Sequence, residues 1–344
     1  MPEYSIVVDL PSESWNSFVE KFSAGNFEQC FEYGEISKRA FPKANVVRLA
    51  CFRHNELVGV LQGTYSKYFG LGMTLGAMRG PIVNTENGNS TFAVKSLLKA
   101  LEDYAKKNRI IEARIFVPEA LKADIAFSSF RYSLVCRYNE YIISLKGGSE
   151  SLWGRISHNK RRNIKKALRE GVEVFESREM NDLQTFYSLL KAAEKRGGFT
   201  SYPYSWFKAV WDVYDPKLSR VFLARWNKRA VSGVFTVMHG DTVFALAAGS
   251  LREGWKVRPN DILHWKVMEW AADKGYSQYH MGLVSDPPPT QASASWGVWR
   301  WKREWKGNLQ KLKVFHKFFH QKYRLILKAK DFAQKTYQFI LRLK

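Results

Sequence analysis

The chain has 344 residues, enough for two domains of ordinary size. Hydrophobic residues make up 45% and charged residues 25%, values that exclude a disordered chain or a collagen-like repeat, and a net charge of +22 favours polyanionic partners. Cys30, Cys51 and Cys136 form no CxxC pair, so neither a zinc site nor a disulfide framework is indicated. No apolar run approaches the roughly 18 residues of a spanning helix. We therefore expect a protein of the reducing cytoplasm.

An internal repeat organises the predicted elements. Residues 47–60 align with residues 221–234 at a constant offset of 174, and both segments have the pattern strand, polar turn, strand. Each is followed by a helical pattern, from Leu97 and from Ile262, and then by a short strand pattern. The sequence thus predicts two copies of one mixed α/β unit, with a domain boundary between residues 150 and 151 (domains 1–150 and 151–310).

Two amphipathic helices are predicted within the second copy. The first covers residues 157–170 and stops at Gly171, and the second covers residues 181–196 with apolar residues at helical spacing. The proline-rich stretch after Asp286 has the composition of an irregular loop. The second domain should therefore open with a helix and close through a loop.

The tail, residues 311–344, concentrates the positive charge. From Leu309 apolar residues recur every three or four positions, at Leu312, Phe315 and Phe319, which predicts a long basic amphipathic helix able to pack on the first domain. Between residues 298 and 344 fourteen cations face two acids, a net charge of +12. An RNA backbone and an anionic membrane surface are both open as partners of such a helix.

No conventional catalytic signature appears. The chain has no GxSxG, HExxH, Walker loop or GxGxxG, so hydrolase, zinc-protease, nucleoside-triphosphatase and dinucleotide-binding functions lose their support. One histidine pair has helical spacing, His316 with His320, but no carboxylate accompanies it. We expect neither a metal nor a resident cofactor.

Two segments carry the candidate chemistry. Residues 155–169 hold seven cations and no acid, with like charges stacked at i, i+4, so that a bound phosphate would relieve the repulsion. The alternative is a solvated helix. From Trp296 the sequence WGVWRWKREWKGN places four tryptophans around Lys302, Arg303 and Lys306, a composition that stacks on bases or sugars. The alternative is that these tryptophans belong to a core.

Seven ordered segments share a pattern with one superfamily, and the resemblance runs from about residue 27 to about residue 323. They are FEQCFEYGEISK at Phe27, RGPI at Arg79, HNKRRNIKKALREGVEV at His158, FYSLLKAAEKRGGF at Phe186, VFLARWNKRAVSG at Val221, RPNDILHWKVMEWAADKGYSQYHMG at Arg258 and VWRWKREWKG at Val298. Their order and spacing resemble the FemABX-type aminoacyltransferases, and the absence of a coiled-coil arm resembles the compact FemX type. The resemblance implies an α/β fold of two tandem GNAT-like acyltransferase domains and no covalent enzyme intermediate.

The resemblance also implies roles for individual residues. Lys302 stands at the family's reactive lysine, where a cation stabilises the oxyanion of acyl transfer. Arg196 matches the arginine that holds the phosphates of a nucleotide-linked precursor. Lys38, Asn84 and Tyr204 are further candidates for substrate binding, although Lys38 is displaced by one position from the family's lysine and Asn84 replaces a usual acid. HMGL at residues 280–283 replaces the family's Asp-Phe-Gly-Gly. The candidates for binding tRNA or phosphate are Lys160, Arg161, Arg162, Lys165, Arg300, Arg303 and Lys306.

Three functions follow as alternatives. The first is transfer of an aminoacyl group from aminoacyl-tRNA to an amine of a phosphate-bearing, lipid-linked or soluble, cell-wall peptide precursor. The second uses acyl-CoA as donor to acylate a sugar or peptide amine on the same fold, although no clear Gly-rich pyrophosphate loop is present. The third is a non-enzymatic protein that binds RNA or an anionic membrane through its tail. The expected location is the cytoplasm, with peripheral contact at the inner membrane face open.

Overall fold

The computed structural model describes residues 3–23, 26–68, 72–86, 90–214, 218–293 and 295–319. Its strands are β1 (Tyr4–Val8), β2 (Asn45–Arg53), β3 (Glu56–Tyr68), β4 (Gly72–Ala77), β5 (Ile82–Val83), β6 (Ile110–Pro118), β7 (Ser133–Ser144), β8 (Glu173–Ser177), β9 (Ser219–Trp226), β10 (Arg229–His239), β11 (Thr242–Ser250), β12 (Gln278–Asp286) and β13 (Asn308–Phe318). Its α-helices are α1 (Ser12–Phe22), α2 (Phe31–Ala40), α3 (Ser90–Lys107), α4 (Asp124–Ser129), α5 (Gly148–Arg155), α6 (His158–Arg169), α7 (Met180–Gly197), α8 (Tyr204–Val213), α9 (Pro259–Asp273) and α10 (Trp296–Arg303). Among these helices none is long and apolar enough to cross a membrane.

The first of two compact units contains the described residues within 1–18, 43–136 and 313–319. Its strands follow the order β1-β2-β3-β4-β6, with β5 beside β3. All of these neighbours are antiparallel except β4 and β6, which run parallel. Helix α3 connects the two parallel strands and buries Leu97, Leu98 and Leu101 against strand residues such as Leu49, because parallel neighbours require a crossover connection.

The second unit contains the described residues within 19–42 and 137–312. Its strands follow the order β7-β12-β11-β10-β9-β8, antiparallel except for the parallel pair β11 and β12. Helix α9 connects that parallel pair and lies with α5 and α6 over one face of the sheet, whereas α7 and α8 pack with α2 in the core of the other face. Both units therefore consist of a hairpin, a third strand, a helical crossover and a parallel strand.

One glycine of the second unit shows how closely its layers pack. A Cβ at Gly249, in β11, would lie 2.4 Å from the backbone nitrogen of Leu190 in α7. That separation is shorter than side-chain carbons tolerate, so only glycine permits this approach of helix and sheet.

The repeat predicted from the sequence is confirmed. Residues 47–60 and 221–234 each lie in an antiparallel hairpin, β2 with β3 and β9 with β10, and the two helical patterns lie in α3 and α9. The two helices predicted in the second copy are α6 and α7, and Ser157 caps α6 by accepting a hydrogen bond from the backbone N–H of Lys160 at 3.2 Å. The stretch after Asp286 leads to α10, which begins at Trp296.

Two sequence-based boundaries differ from the structure. The units are not the contiguous stretches 1–150 and 151–310, because residues 26–42 pack in the second unit and the unit boundary falls within α1, β7 and β13. The helix predicted from Leu309 is wrong over the described part of the tail, where residues 308–318 form β13. His320 and the rest of the predicted tail, residues 320–344, lie outside the described residues.

The strand at residues 308–318 is fixed by partners that are distant in the sequence. Lys313 forms an ion pair with Asp124 at 2.8 Å, and His316 Nε2 lies 2.9 Å from a carboxylate oxygen of Glu112. Phe315 stacks on Phe127 with ring centroids 4.3 Å apart. All of these contacts are within the first unit, so residues 313–318 pack there as a strand.

Candidate active site

Helix α10 turns two neighbouring side chains in different directions. Trp301 donates from Nε1 to a carboxylate oxygen of Asp261, in the first turn of α9, at 2.7 Å. Lys302 instead extends to β12, where Nζ donates to the carbonyl oxygen of Leu283 at 3.1 Å. The helix is therefore anchored to α9 while it presents an ammonium group to the sheet.

The ammonium group meets β12 at an irregularity. The pairing of β12 with β7 shifts register between His280 and Leu283, and Gly282 between them has φ +76°, a conformation that glycine adopts without steric cost. The ring nitrogen Nδ1 of His280 accepts from the backbone N–H of Gly282 at 3.1 Å. Its Nε2 lies 3.4 Å from Oε1 of buried Glu140. The bulge thus turns the Leu283 carbonyl toward Lys302.

Burial lowers the pKa of Lys302 from 10.5 to about 8, because a charged group loses hydration when it is withdrawn from water. Among the described residues, the Leu283 carbonyl is the one hydrogen-bond acceptor of Nζ, and no carboxylate lies within ion-pair distance of it. An ammonium has three N–H donors. The site therefore offers a cation, mostly protonated at neutral pH, with donors left for a ligand.

A neutral polar pair lies beside α10. His264, in α9, has its Nδ1 2.7 Å from the hydroxyl of Tyr279, in β12, and its ring packs against Trp301. Burial, together with the positive charges of Lys160 and Lys302, lowers the pKa of His264 to about 3. Burial raises the pKa of Tyr279. Both groups are therefore uncharged at neutral pH and add no competing anion near Lys302.

An outer face of α10 combines aromatic rings with cations. Trp296 and Trp299 stack with ring centroids 5.0 Å apart, and the Arg303 guanidinium lies 5.0 Å from the centroid of the Trp299 ring. Arg300, Arg303 and Lys306 are exposed. Stacked aromatic rings beside guanidinium groups suit a single-stranded nucleic acid, whose bases stack and whose phosphates are anionic.

Comparisons with known proteins agree with this architecture. The model of the acetyltransferase (GNAT) domain family matches residues 155–303. The Lipid II:glycine glycyltransferase of Staphylococcus aureus is 22% identical over 93% of this chain and 95% of its own length. The crystal structure of FemX superposes with a TM-score of 0.77 at 18% identity, covering 94% of this chain and 99% of FemX. The chain is FemABX-like.

Two further matches bear on this FemABX-like chain. The UDP-N-acetylmuramoylpentapeptide-lysine N(6)-alanyltransferase of Weissella viridescens is 24% identical over 121 residues, which are 35% of this chain and 36% of that enzyme. The chain thus matches about a third of that relative's length. A tandem GNAT protein from the clavulanic acid biosynthesis pathway superposes with a TM-score of 0.61 at 9% identity, covering 92% of this chain and 99% of that protein. The predicted fold, two tandem GNAT-like units, is confirmed.

Two of the residues predicted to bind phosphate have structural contacts instead. Lys160 is fully buried, and its Nζ lies 2.5 Å from a carboxylate oxygen of Asp261. Arg161 donates from Nη1 to the carbonyls of Trp153, Gly154 and Ile156, at 3.1, 3.1 and 2.8 Å, and so caps the C-terminal end of α5. In the FemABX-like fold these two cations hold helices together, which withdraws them from the predicted phosphate-binding set.

The exposed cations of α6 stay candidates for a polyanion. Arg162 and Lys165 lie on the solvent face of that helix. Arg162 donates to Oδ1 of Asn159, and Asn159 donates from Nδ2 to Glu304, which follows α10. The exposed face of α6 therefore continues toward the C-terminal end of α10 and its cations.

The predicted substrate residues occupy separate places. Arg196, at the end of α7, donates to the Ser250 carbonyl at 2.9 Å, and its guanidinium lies 4.7 Å from the centroid of the Trp255 ring. Partial desolvation and, to a lesser extent, nearby Arg252 lower the pKa of Arg196, although the residue is exposed. Tyr204, at the start of α8, donates to the sulfur of Met180 at 3.5 Å.

Lys38 and Asn84 have local partners. Lys38, in α2, is half exposed and pairs with Glu35 at 2.8 Å. Asn84, in the first unit, is buried and accepts from the backbone N–H of Glu86 at 2.9 Å. No described hydrogen bond joins either residue to Lys302, so their binding roles stay predictions.

Sequence reasoning missed Asp261 and the His280–Glu140 pair. Asp261 stands in the RPND segment, and its partners lie 101 residues away in α6 and 40 residues away in α10. A signal did exist for Lys160, because it falls four residues before buried Ile164 and seven before buried Ala167. That spacing places Lys160 on the apolar stripe of α6.

Proposed function

We propose that this FemABX-like chain transfers an aminoacyl group from aminoacyl-tRNA to an amine of a cell-wall peptide precursor. The observation that carries the proposal is the Lys302 ammonium, which lies partly buried at the bulge of β12 and has no carboxylate partner among the described residues. Such a cation suits a reaction that develops negative charge on oxygen, because a charge that is already in position needs no rearrangement when the anion forms.

In the proposed reaction the uncharged acceptor amine attacks the ester carbonyl of the donor. A C–N bond forms as the carbonyl π electrons move to oxygen, and the Lys302 ammonium stabilises that oxyanion. Collapse of the intermediate restores the carbonyl and breaks the ester C–O bond. The amine gives up one proton and the leaving ribose alkoxide of the tRNA gains one, so the products are an amide and a tRNA with a free hydroxyl.

The names of the relatives support the acceptor and the reaction class. One matched enzyme is named a glycyltransferase acting on lipid II, and the other an alanyltransferase acting on a lysine N6 of a UDP-linked muramoyl pentapeptide. Both acceptors are peptidoglycan precursors that carry phosphate. Arg196 is the candidate contact for such a phosphate, because it is exposed beside Arg252 and Trp255.

The exposed face of α6 and α10 supports a nucleic-acid donor. Arg162, Lys165, Arg300, Arg303 and Lys306 give this face cations from two helices, and neutralised phosphates release counterions. Binding through such a face weakens steeply with salt. Membrane contact of the basic tail belongs to the same proposal, since an anionic leaflet attracts lysine and arginine, and most of that tail, residues 320–344, lies outside the described residues.

A second candidate keeps the fold and takes acyl-CoA as donor. The match of residues 155–303 to the acetyltransferase (GNAT) domain favours it. One assay decides between the two: purified protein is incubated with radiolabelled aminoacyl-tRNA or labelled acetyl-CoA, a UDP-muramoyl pentapeptide acceptor and a salt series. Salt-sensitive transfer from tRNA alone supports the proposal, transfer from acetyl-CoA alone supports the second candidate, and tRNA binding without transfer to any amine supports a non-enzymatic protein.

A further inference from the structure

A buried carboxylate joins three helices of the second unit. Asp261, in the first turn of α9, is 4% exposed. Its Oδ1 accepts from Nζ of Lys160 at 2.5 Å and from Nε1 of Trp301 at 2.7 Å, and its Oδ2 accepts from Nδ2 of Asn163 at 3.0 Å. Lys160 and Asn163 belong to α6 and Trp301 to α10. The carboxylate therefore fixes α10 against both neighbours.

Further contacts hold the C-terminal end of α10. Lys160 Nζ lies 3.7 Å from Oε2 of Glu304 and 4.3 and 4.8 Å from the ring centroids of Trp301 and Trp305. Asn159 Nδ2 donates to Oε1 of Glu304 at 2.9 Å. The N-terminal turn of α6 thus holds Glu304, which follows α10, while Asp261 holds the Trp301 indole within α10.

Stability alone is a weak reason for such a network. A buried ion pair costs desolvation that its attraction only partly offsets, and well-packed apolar residues of similar volume often stabilise a protein as well or better. Burial lowers the pKa of Lys160 even with Asp261 and Glu304 beside it, so desolvation outweighs the attraction of the two carboxylates. What the network supplies, and apolar packing does not, is directional hydrogen bonding to one rotamer of Trp301.

Trp301 precedes Lys302 in α10, so the position of one backbone fixes that of the other. We propose that Asp261 is a positioning residue that, through Trp301, holds the Lys302 ammonium at the bulge of β12. Lys160 and Asn163 in turn hold the Asp261 carboxylate. The catalytic consequence rests on the proposed function, whereas the placement of the ammonium does not.

The test compares two substitutions that remove the same charge. Asp261→Asn keeps an oxygen that accepts from the Trp301 indole, and Asp261→Ala removes it. In the transfer assay we expect kcat of Asp261→Ala to fall about 100-fold, the loss that follows a misplacement of roughly 1 Å, with KM nearly unchanged. Asp261→Asn should recover most of that loss. Glu112→Ala, which breaks the buried pair with His316 in the first unit, controls for lost stability and should keep kcat.

A second readout does not need turnover. Competitive labelling of the intact protein with acetic anhydride across a pH series, read by mass spectrometry of the Lys302 peptide, gives the pKa of that amine. Wild type should titrate near 8, and Asp261→Ala should shift toward 10.5 as the ammonium returns to water, whereas Asp261→Asn should stay near wild type. The inference is overturned if Lys302 titrates at the same pH in both variants as in wild type. It is also overturned if Asp261→Ala loses no more kcat than Glu112→Ala. If Lys302 of the wild-type protein titrates near pH 8 but the protein transfers from neither aminoacyl-tRNA nor acetyl-CoA, the proposed function is refuted instead.

Discussion

The pH dependence of transfer gives the sharpest test of Lys302. Its pKa of about 8 means that the ammonium present below pH 8 is lost as the pH rises above it. The oxyanion stabilisation should disappear in the same range. The acceptor amine acts in the opposite direction, because a lysine-like amine with a pKa of about 10.4 becomes tenfold more available with each pH unit.

These two dependences combine into a defined shape. Below pH 8, log(kcat/KM) should rise with a slope of about one, and above pH 8 the gain in free amine and the loss of ammonium should cancel to a slope near zero. Lys302 is about nine tenths protonated at pH 7 and about one tenth at pH 9, given its pKa of about 8. At pH 9 the rate should therefore lie about tenfold below the line extrapolated from lower pH.

The measurement is kcat/KM for the acceptor between pH 6 and 9.5, corrected for spontaneous hydrolysis of the donor ester. Lys302→Arg is the matched variant, because a guanidinium stays protonated over the whole range. Whatever its absolute rate, its profile should rise without a break. A break near pH 8 that persists in Lys302→Arg, or a wild-type profile that rises through pH 9.5, would show that the reasoning assigns the wrong group.

Three other outcomes follow from the contacts described. Lys302→Met should lower kcat about 10²- to 10³-fold, as removal of an oxyanion donor does, whereas Lys306→Met, which removes one of five exposed cations of the proposed donor-binding face, should have a much milder effect; similar losses of kcat in both would remove the site. Arg196→Ala should weaken binding of a UDP-linked acceptor about tenfold or more by calorimetry, the value of a charge-assisted hydrogen bond, and an unchanged Kd would remove the phosphate assignment. Gly249→Ala should lower the free energy of unfolding by about 1–3 kcal/mol, the usual cost of overpacking, and Gly76→Ala, where a Cβ meets nothing within 4 Å, should cost much less in the same urea titration.

Local patterns were enough to predict the repeated architecture. Each hairpin alternates strand and turn residues, and α3 and α9 carry apolar residues at helical spacing. These signals depend on neighbours within a dozen residues, so a single sequence contains them. The order of strands in each unit then follows from the crossover helix, since a helix between two strands favours their parallel pairing.

The tail shows where local reasoning fails. Residues 312, 315 and 319 have helical spacing, yet the same stretch also alternates, with Leu312 and Val314 buried and Lys313 between them. Such short apolar runs fit either period. The choice is made by tertiary partners such as Asp124 and Glu112, nearly two hundred residues or more away, and no local pattern reveals them.

Two lysines that look similar in the sequence, Lys160 and Lys302, differ in whether a carboxylate balances their charge. Lys160 and Lys302 both stand in basic, helix-forming segments, and the structure buries Lys160 fully and Lys302 in part. Lys160 meets Asp261 and Glu304, so its charge is balanced within the fold. Lys302 meets a single described carbonyl and no described carboxylate. Folding gains little from an unbalanced buried cation, and such groups concentrate at functional sites. The lack of a described counter-charge at Lys302 therefore supports the proposal that the reaction forms an oxyanion there.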